Sequence, residues 1–238
     1  TFKGFDTKVV RENAALIKKK YNEAIKNGTL QKGDTWTGNI MGVIASTRGN
    51  TNHIFGADST NAATQTQTNL AGRKCVLRLL KFFKTIPGGE KASINKMMNE
   101  TASRETYRIK GETMITVHDY TSGRVFEDAL CYSFYPIDLH DAKGVVPRHL
   151  KHGTVPTIPR GALIPKGSKN IMVAGRCVSS DRLANSAARV QASSMGMGQA
   201  AAVTAVLAAR LKTTPGEVPL EKIHAELKKH KAIVPARS

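Results

Sequence analysis

Residues 170–211 constrain the fold more than any other part of the 238-residue chain. They begin with a short apolar run, 171–174, that ends at Gly175, and such a run is typical of a strand covered on both faces. A loop of small polar residues follows, and from about Ser193 a long helix begins whose first turns carry little side-chain bulk. Because unpaired N–H groups and the positive end of the helix dipole meet at such a start, the pattern predicts a cofactor or anion site.

Four blocks of the sequence occur in the order seen in one family of redox enzymes. They are SRETYRIKGETMIT, SGRVFEDA, YPIDLHD, and VAGRCVSSD with the following RVQASSMGMGQAAA. Together they resemble the FAD-dependent oxidoreductases that share a glutathione-reductase-like FAD domain, and the resemblance extends from about residue 52 to the end of the chain. It implies FAD as the cofactor and hydride transfer between a small organic substrate and FAD as the activity.

The resemblance also implies which residues of 170–211 contact the cofactor. Gly175 would permit close approach, and Arg176 and Asp181 would contact the polar chain of FAD. Arg189 would add positive charge beside the reduced flavin, although a surface arginine flanking the helix explains it equally well. The residues expected nearest the flavin ring lie at the helix start: Met195, Gly196, Met197, Gly198 and Gln199.

The block at 103–116 contains two arginines that are candidates for the substrate site. In an extended segment Arg104 and Arg108 would point to one face, where their guanidinium groups could clamp a carboxylate substrate or the cofactor pyrophosphate. Glu105 would hold one of them in position. An internal Arg–Glu pair that ties the substrate domain to its neighbour explains the same residues.

Three further residues are candidates for catalysis. Pro136 stiffens the loop that presents Tyr135, Asp138 and His140, so Tyr135 and His140 could act as acid or base beside a flavin. An Asp–His pair that braces the loop is an equally good interpretation. His53 is a candidate for the substrate pocket, or a satisfied histidine at a strand edge.

The domain organisation predicted is α/β, with a mixed-sheet substrate-type domain at 1–160. Residues 161–238 would supply the C-terminal strand and helix of a Rossmann-like FAD-binding domain. Residues 1–170 contain no G-x-G-x-x-G turn after a strand, and the match to G-x-G-x-x-A at 196–201 does not follow a strand directly. We therefore expect the C-terminal half of a flavoenzyme, which is active only when a second chain or a missing segment supplies the FAD-binding N-terminal half.

Composition suggests a competing function. With 36 Lys and Arg against 18 Asp and Glu, the net charge is +18. The chain could be a non-catalytic basic module for an anionic partner, either nucleic acid or an acidic protein. The basic segments have no aromatic interleaving, which makes nucleic acid the less favoured partner.

Other partners and sites are not expected from the sequence. The three cysteines are far apart, which argues against a metal site or a disulfide framework and favours a cytoplasmic location. No apolar run reaches the length of a membrane span, so no membrane partner is expected.

Secondary structure is predicted from periodicity. Helices are expected at 10–25, with a stop at Asn27 and Gly28, at 62–83, and after Pro219. In the helix at 62–83, Leu70, Leu77 and Leu80 are expected to face inward. A hairpin of two strands is expected at 40–45 and 52–55, and a further strand at 130–134.

Overall fold

The computed structural model describes residues 1–35, 38–46, 52–141, 144–145 and 147–236. These residues form two compact units. Unit 1 comprises Thr1–Ser103 with Asp141–Gly144, and unit 2 comprises Arg104–His140 with Val145–Ser238. The short strands β4 (His140–Asp141) and β5 (Gly144–Val145) pair with each other where the chain passes from one unit to the other.

Unit 1 is mainly helical. Its elements are β1 (Phe2–Lys3), α1 (Thr7–Glu12), α2 (Ala14–Lys26), a 3-10 turn (Lys32–Asp34), α3 (Ile40–Ala45), α4 (Ala62–Phe83) and β2 (Ser93–Ile94). Strands β1 and β2 pair antiparallel. The core is built from apolar side chains of all four helices, including Val10, Ile17, Ile40, Leu79 and Phe83.

The first predicted helix is confirmed, with a break at one residue. The side chain of Asp6 caps α1 by accepting hydrogen bonds from the N–H groups of Lys8 and Val9. Asn13 ends α1 and begins α2, which runs to Asn27 as expected. Gly28 follows at φ 78°, in the left-handed region that favours glycine after a helix.

Helix α4 has the predicted bounds, but a different face is buried. Leu70 and Leu77, expected inside, are 47% and 51% exposed. Leu80, also expected inside, packs partly buried against the core. The fully buried face of α4 is small at Thr68, Gly72 and Cys75 and large towards the C-terminal end, at Leu79, Phe82 and Phe83. A Cβ at Gly72 would lie 2.7 Å from Thr101 Oγ1, so the chain packs too closely there for a larger side chain.

The predicted hairpin in unit 1 is wrong. Residues 40–45 form α3, because Asn39 caps a helix by accepting a hydrogen bond from the Gly42 N–H group. Residues 52–55 form no strand. The turn expected at 47–50 lies outside the described residues.

Unit 2 surrounds a long helix with shorter elements. These are α5 (Val117–Ser122), β3 (Ala129–Tyr132), β6 (Thr157–Pro159), a 3-10 turn (Arg160–Ala162), α6 (Arg182–Ala188), α7 (Gln191–Leu211) and α8 (Leu220–Lys229). Strands β3 and β6 pair antiparallel, and α7 packs against β3 and α8. The described part of the chain is therefore mixed α/β, with sheets of two strands.

The predictions for unit 2 are confirmed in part. Strand β3 and helix α8 occur close to where the sequence places them. The strand expected at 171–174 is absent: Val173 N–H donates to the Leu163 carbonyl, but no ladder forms, and Ile171 is 57% exposed. A short apolar run is not sufficient for a strand when no neighbouring strand is available to pair with it.

Helix α7 is the one helix in the described part of the chain that is long and apolar enough to span a membrane. The most apolar 18-residue window of this 21-residue helix has a mean hydropathy of 1.2, so by length and composition alone the helix could cross a bilayer. Met197, Ala200, Thr204 and Ala208 nevertheless lie in the interior of unit 2, as in the core helix of a globular domain.

Candidate functional site

A group of charged and polar side chains converges in unit 2, and we call it the arginine–histidine cluster. Its members are Arg104, Glu105, Arg108, Tyr135, Asp138, His140 and Arg189. His140 lies at its centre, with Nε2 at 3.1 Å from Asp138 Oδ2 and 3.4 Å from Arg104 Nη1. The side chains of His140 and Asp138 are only 8% and 13% exposed, so their contacts are largely shielded from water.

His140 Nε2 would have to donate a hydrogen bond to Asp138 but accept one from Arg104. A carboxylate accepts a hydrogen bond, whereas a guanidinium group only donates. A neutral ring can therefore satisfy one contact at a time, and the shorter distance favours Nε2–H donating to Asp138. In that tautomer Nδ1 carries the lone pair that can accept a proton.

His140 is held in its neutral form. Burial and the positive charge of Arg104 lower its pKa below 6.5, Arg189 acts in the same direction, and Asp138 opposes them. A neutral imidazole at pH 7 is the form that can serve as a general base.

Arg189 occupies the C-cap of α6, immediately before α7. Its Nη2 donates to the Asp138 carbonyl at 3.3 Å. Its Nε is buried and has no hydrogen-bond partner among the described residues. Burial and then Arg104 lower the pKa of this guanidinium group, while Glu105 and Asp138 act in the opposite direction.

Helix α6 fixes the position of Asp138. The Asp138 N–H group donates to Ser186 Oγ at 3.1 Å, and that hydroxyl donates to the Leu183 carbonyl at 2.6 Å. Ser186 is fully buried, so water does not compete for these bonds. Together with the bond from Arg189, they hold Asp138 in place beside His140.

A buried chain of hydroxyl groups holds the preceding residues against α7. Ser133 Oγ lies 2.9 Å from Tyr120 Oη and 2.7 Å from Ser193 Oγ, and burial raises the pKa of the Tyr120 phenol. Ser193 belongs to the first turn of α7. The loop with Tyr135 and His140 therefore starts from a point fixed to the beginning of that helix.

The beginning of α7 is open on one side. No side chain caps it, Met195 is 74% exposed, and a Cβ at Gly198 would meet nothing within 4 Å. Gly196 and Met197 lie on the other side: a Cβ at Gly196 would be 3.4 Å from Cys131, and Met197 is fully buried. Gln199 is exposed with Met195.

The loop before α6 approaches this helix start. Gly175 has φ 88°, and a Cβ there would lie 3.7 Å from Ser194 Oγ. The Asn185 amide donates to the Arg176 carbonyl at 3.1 Å, while the Arg176 side chain is exposed. Both carboxylate oxygens of Asp181 accept backbone hydrogen bonds, from Ala184 and Val117.

Of the remaining predicted site residues, His53 lies outside the cluster, and Arg108 is paired within it. His53 lies in unit 1, where its N–H group donates to the Gly33 carbonyl at 2.8 Å. Arg108 donates to Glu105 at 3.4 Å, which is the Arg–Glu pair that the sequence allowed. The described residues contain no group of three or more His, Cys, Asp or Glu that could hold a metal ion.

Thus the structure brings together Arg104, Tyr135, His140 and Arg189, which the sequence named from separate blocks. It adds the supporting residues Ser133, Ser186 and Ser193, which were not singled out. A serine is common on any surface, so only its burial and its partners identify its role here. The functional roles of all these residues stay predictions.

The chain matches one family in comparisons with known proteins. The family model described as FAD dependent oxidoreductase matches residues 4–227. No curated protein and no solved structure shows a significant match. Since the family match covers nearly the whole sequence, the chain belongs to the FAD-dependent oxidoreductase family, and its cofactor is FAD.

Proposed function

We propose that the chain forms the substrate-binding and flavin-ring side of an oxidoreductase that transfers hydride between a small organic substrate and FAD. The observation that carries the proposal is the position of His140. It is neutral, shielded from water and surrounded by Asp138, Arg104 and Arg189, in a loop that is tied to the start of α7.

The open side of α7 fits a flavin. Bare amides at an uncapped helix start, the exposed Met195 and the empty space beside Gly198 leave room for a flat ring. Gly175, close to Ser194, allows the cofactor chain to approach the same place. The positive helix end and Arg189 would favour the negative charge of a reduced flavin.

The residues of the cluster divide the chemistry between them. Bound FAD supplies the acceptor for the hydride that leaves a substrate C–H bond. His140 takes the proton from the neighbouring O–H or N–H group, so the product gains a C=O or C=N bond. Asp138 orients the imidazole and stabilises the imidazolium that forms. Arg104 binds the substrate beside it.

We further propose that the adenine-binding part of FAD is held by another segment or a second chain, because residues 1–170 contain no dinucleotide-binding fingerprint. In this proposal 1–160 belong to the substrate-type part and 161–238 to the Rossmann-like FAD part. The cluster then joins the two, since Arg104 and His140 come from the first and Arg189 from the second.

A flavin titration tests the proposal. The chain, mixed with excess FAD, should shift the visible flavin spectrum and quench its fluorescence, because in this proposal α7 contacts the ring whichever segment holds the adenine part. Gly198→Leu should lower FAD affinity about 10-fold or more, because the leucine side chain would occupy the open space in which the flavin ring is proposed to bind. Ala209→Leu adds the same bulk at an exposed position near the other end of α7 and should leave affinity within about 2-fold. Equal effects of the two variants, or an unchanged flavin spectrum, would contradict the proposal.

The basic binding module remains the second candidate because of one surface feature. Lys18, Lys19 and Lys26 lie on the exposed side of α2 around a shallow hollow that Ala15, Asn22 and Glu23 also line. If this surface is the functional one, the chain is colourless, and its affinity for a polyanion falls steeply as the salt concentration rises.

A further inference from the structure

The arginine–histidine cluster contains more positive than negative charge. Arg104, Arg108 and Arg189 contribute three guanidinium groups, whereas Glu105 and Asp138 contribute two carboxylates. A neutral His140 adds nothing to this balance. Among the side chains that the structure describes, the cluster therefore has one more positive than negative charge, in a site that is partly shielded from water.

Arg189 is where the imbalance is most evident. Its side chain is half-buried and lies near a second guanidinium group, that of Arg104. Its Nη2 donates a hydrogen bond to a neutral backbone carbonyl rather than to a carboxylate. Its buried Nε–H group has no acceptor among the described residues. A buried donor without an acceptor is unfavourable, so the site gains when a ligand supplies one.

The chemistry of the missing acceptor follows from charge and shape. A guanidinium group presents parallel N–H groups that match the two oxygens of a carboxylate. A carboxylate carries one negative charge, which equals the surplus. A phosphate monoester carries close to two at neutral pH and would leave the site with an excess of negative charge.

We propose that the substrate is a small organic acid whose carboxylate binds Arg189 and Arg104. This inference rests on the proposed function, because it names the substrate class of the same site. Arg104 Nη1 lies 3.4 Å from His140 Nε2, so a carboxylate on Arg104 places the rest of a small acid beside the imidazole. Arg189 and Arg104 are thus specificity-determining residues, and His140 accepts the proton from the substrate.

Calorimetric titration with matched pairs of ligands tests the inference. The probes are lactate, succinate and phenylacetate, each compared with its uncharged amide, and every titration is done with and without FAD. At least one acid should bind about 10-fold or more tightly than its amide, since only the acid supplies the negative charge. Arg189→Gln should remove that preference, and Arg189→Lys, which keeps the charge but not the planar fork, should restore part of it.

The control variant removes an identical charge elsewhere. Arg210→Gln changes an exposed arginine in the last turn of α7 and should leave acid affinity within about 2-fold. Thermal denaturation of each variant establishes that it is folded. The inference is overturned if no acid is preferred over its amide, or if Arg210→Gln weakens binding as much as Arg189→Gln.

The flavin spectrum of the same samples separates this inference from the proposed function. If FAD binds but acids and amides are not distinguished, the substrate class is wrong and the oxidoreductase proposal stands. If acids bind through Arg189 but FAD never binds, the oxidoreductase proposal fails and the carboxylate site stands.

Discussion

The Asp34–Arg78 pair of unit 1 and the arginine–histidine cluster of unit 2 both place a carboxylate near arginine, but of these two only the pair in unit 1 has matched charges. Asp34 is 1% exposed and accepts two hydrogen bonds from Arg78, at 2.8 Å from Nε and 2.6 Å from Nη2. The same Nη2 also donates to Gln31 Oε1, and the Gln31 N–H group donates back to Asp34. This is a closed bidentate pair in which each charge has its counterpart.

The cluster in unit 2 is arranged differently. Its guanidinium groups exceed its carboxylates, and Arg189 keeps a buried donor without a partner among the described residues. A matched pair contributes to stability only through its own contacts, whereas an unmatched group has binding capacity left for a ligand. The contrast is the basis for the prediction that Arg78 is structural and that Arg189 binds a ligand, and four measurements can break or sharpen it.

The largest effect is expected from Arg78→Met. The substitution leaves the Asp34 carboxylate buried without its counter-charge, which typically costs about 3 kcal/mol or more in free energy of unfolding. Chemical denaturation monitored by circular dichroism measures the loss. Lys74→Met, an exposed cation on the same helix, should change stability by less than about 0.5 kcal/mol. A small effect of Arg78→Met would remove the distinction between the two clusters.

The next effect concerns the support of the cluster. Ser186→Ala removes the acceptor for the buried Asp138 N–H group, so we expect a loss of about 1–2 kcal/mol in the free energy of unfolding. Because the loop then loosens, binding at the site should weaken as well. Ser122→Ala removes an exposed hydroxyl that donates to a carbonyl and should cost less than about 0.5 kcal/mol. If both substitutions cost the same, Ser186 does not hold the loop.

The sequence predicted the parts of the molecule that depend on local signals. The helical periodicity at 62–83 predicts α4 without reference to any partner, and in the structure the Asn61 side chain caps this helix by accepting a hydrogen bond from the Thr64 N–H group. The strand expected at 171–174 depended on a neighbour to pair with, which no local pattern reveals. The buried face of α4 likewise depended on Thr101 packing against Gly72, a contact between residues far apart in sequence.

The candidate site shows the same division. Tyr135, Asp138 and His140 are close in sequence, so their common loop was predictable. That Arg104 and Arg189, 85 positions apart, meet there depended on the resemblance to a family and on tertiary structure. The surplus of positive charge is a property of the assembled cluster, because the sequence paired Arg104 with Glu105 and treated Arg189 separately.

A smaller effect on stability is expected from Arg189→Met. The substitution relieves the repulsion between the half-buried guanidinium group of Arg189 and that of Arg104, which stabilises the fold. The loss of one hydrogen bond to the Asp138 carbonyl offsets part of this stabilisation. We therefore expect the free energy of unfolding to stay within about 1 kcal/mol of the wild type, or to rise. Denaturation under the conditions used for Arg78→Met gives the comparison. A loss as large as that of Arg78→Met would show that Arg189 is structural.

The smallest expected effect is a shift in the pKa of His140, which depends on the charges of the arginines and the aspartate around it. The pKa of His140 lies below 6.5 because of burial and Arg104, with Arg189 acting in the same direction and Asp138 opposing them. Arg104→Gln should therefore raise this pKa, and Asp138→Asn should lower it further. NMR titration of the imidazole signals, with His140→Gln to assign the resonance among the seven histidines, measures both shifts.

The lowered pKa of His140 also determines how the free energy of unfolding changes with pH. An unfolded chain binds the proton near pH 6.5, and the folded chain only at lower pH. The stability contributed by neutral His140 is therefore complete above pH 6.5 and is lost as the pH falls through the folded pKa. In Arg104→Gln that loss should be smaller. If the His140 pKa does not respond to Arg104→Gln, Arg104 does not act on the imidazole, and the cluster does not work as one charged site.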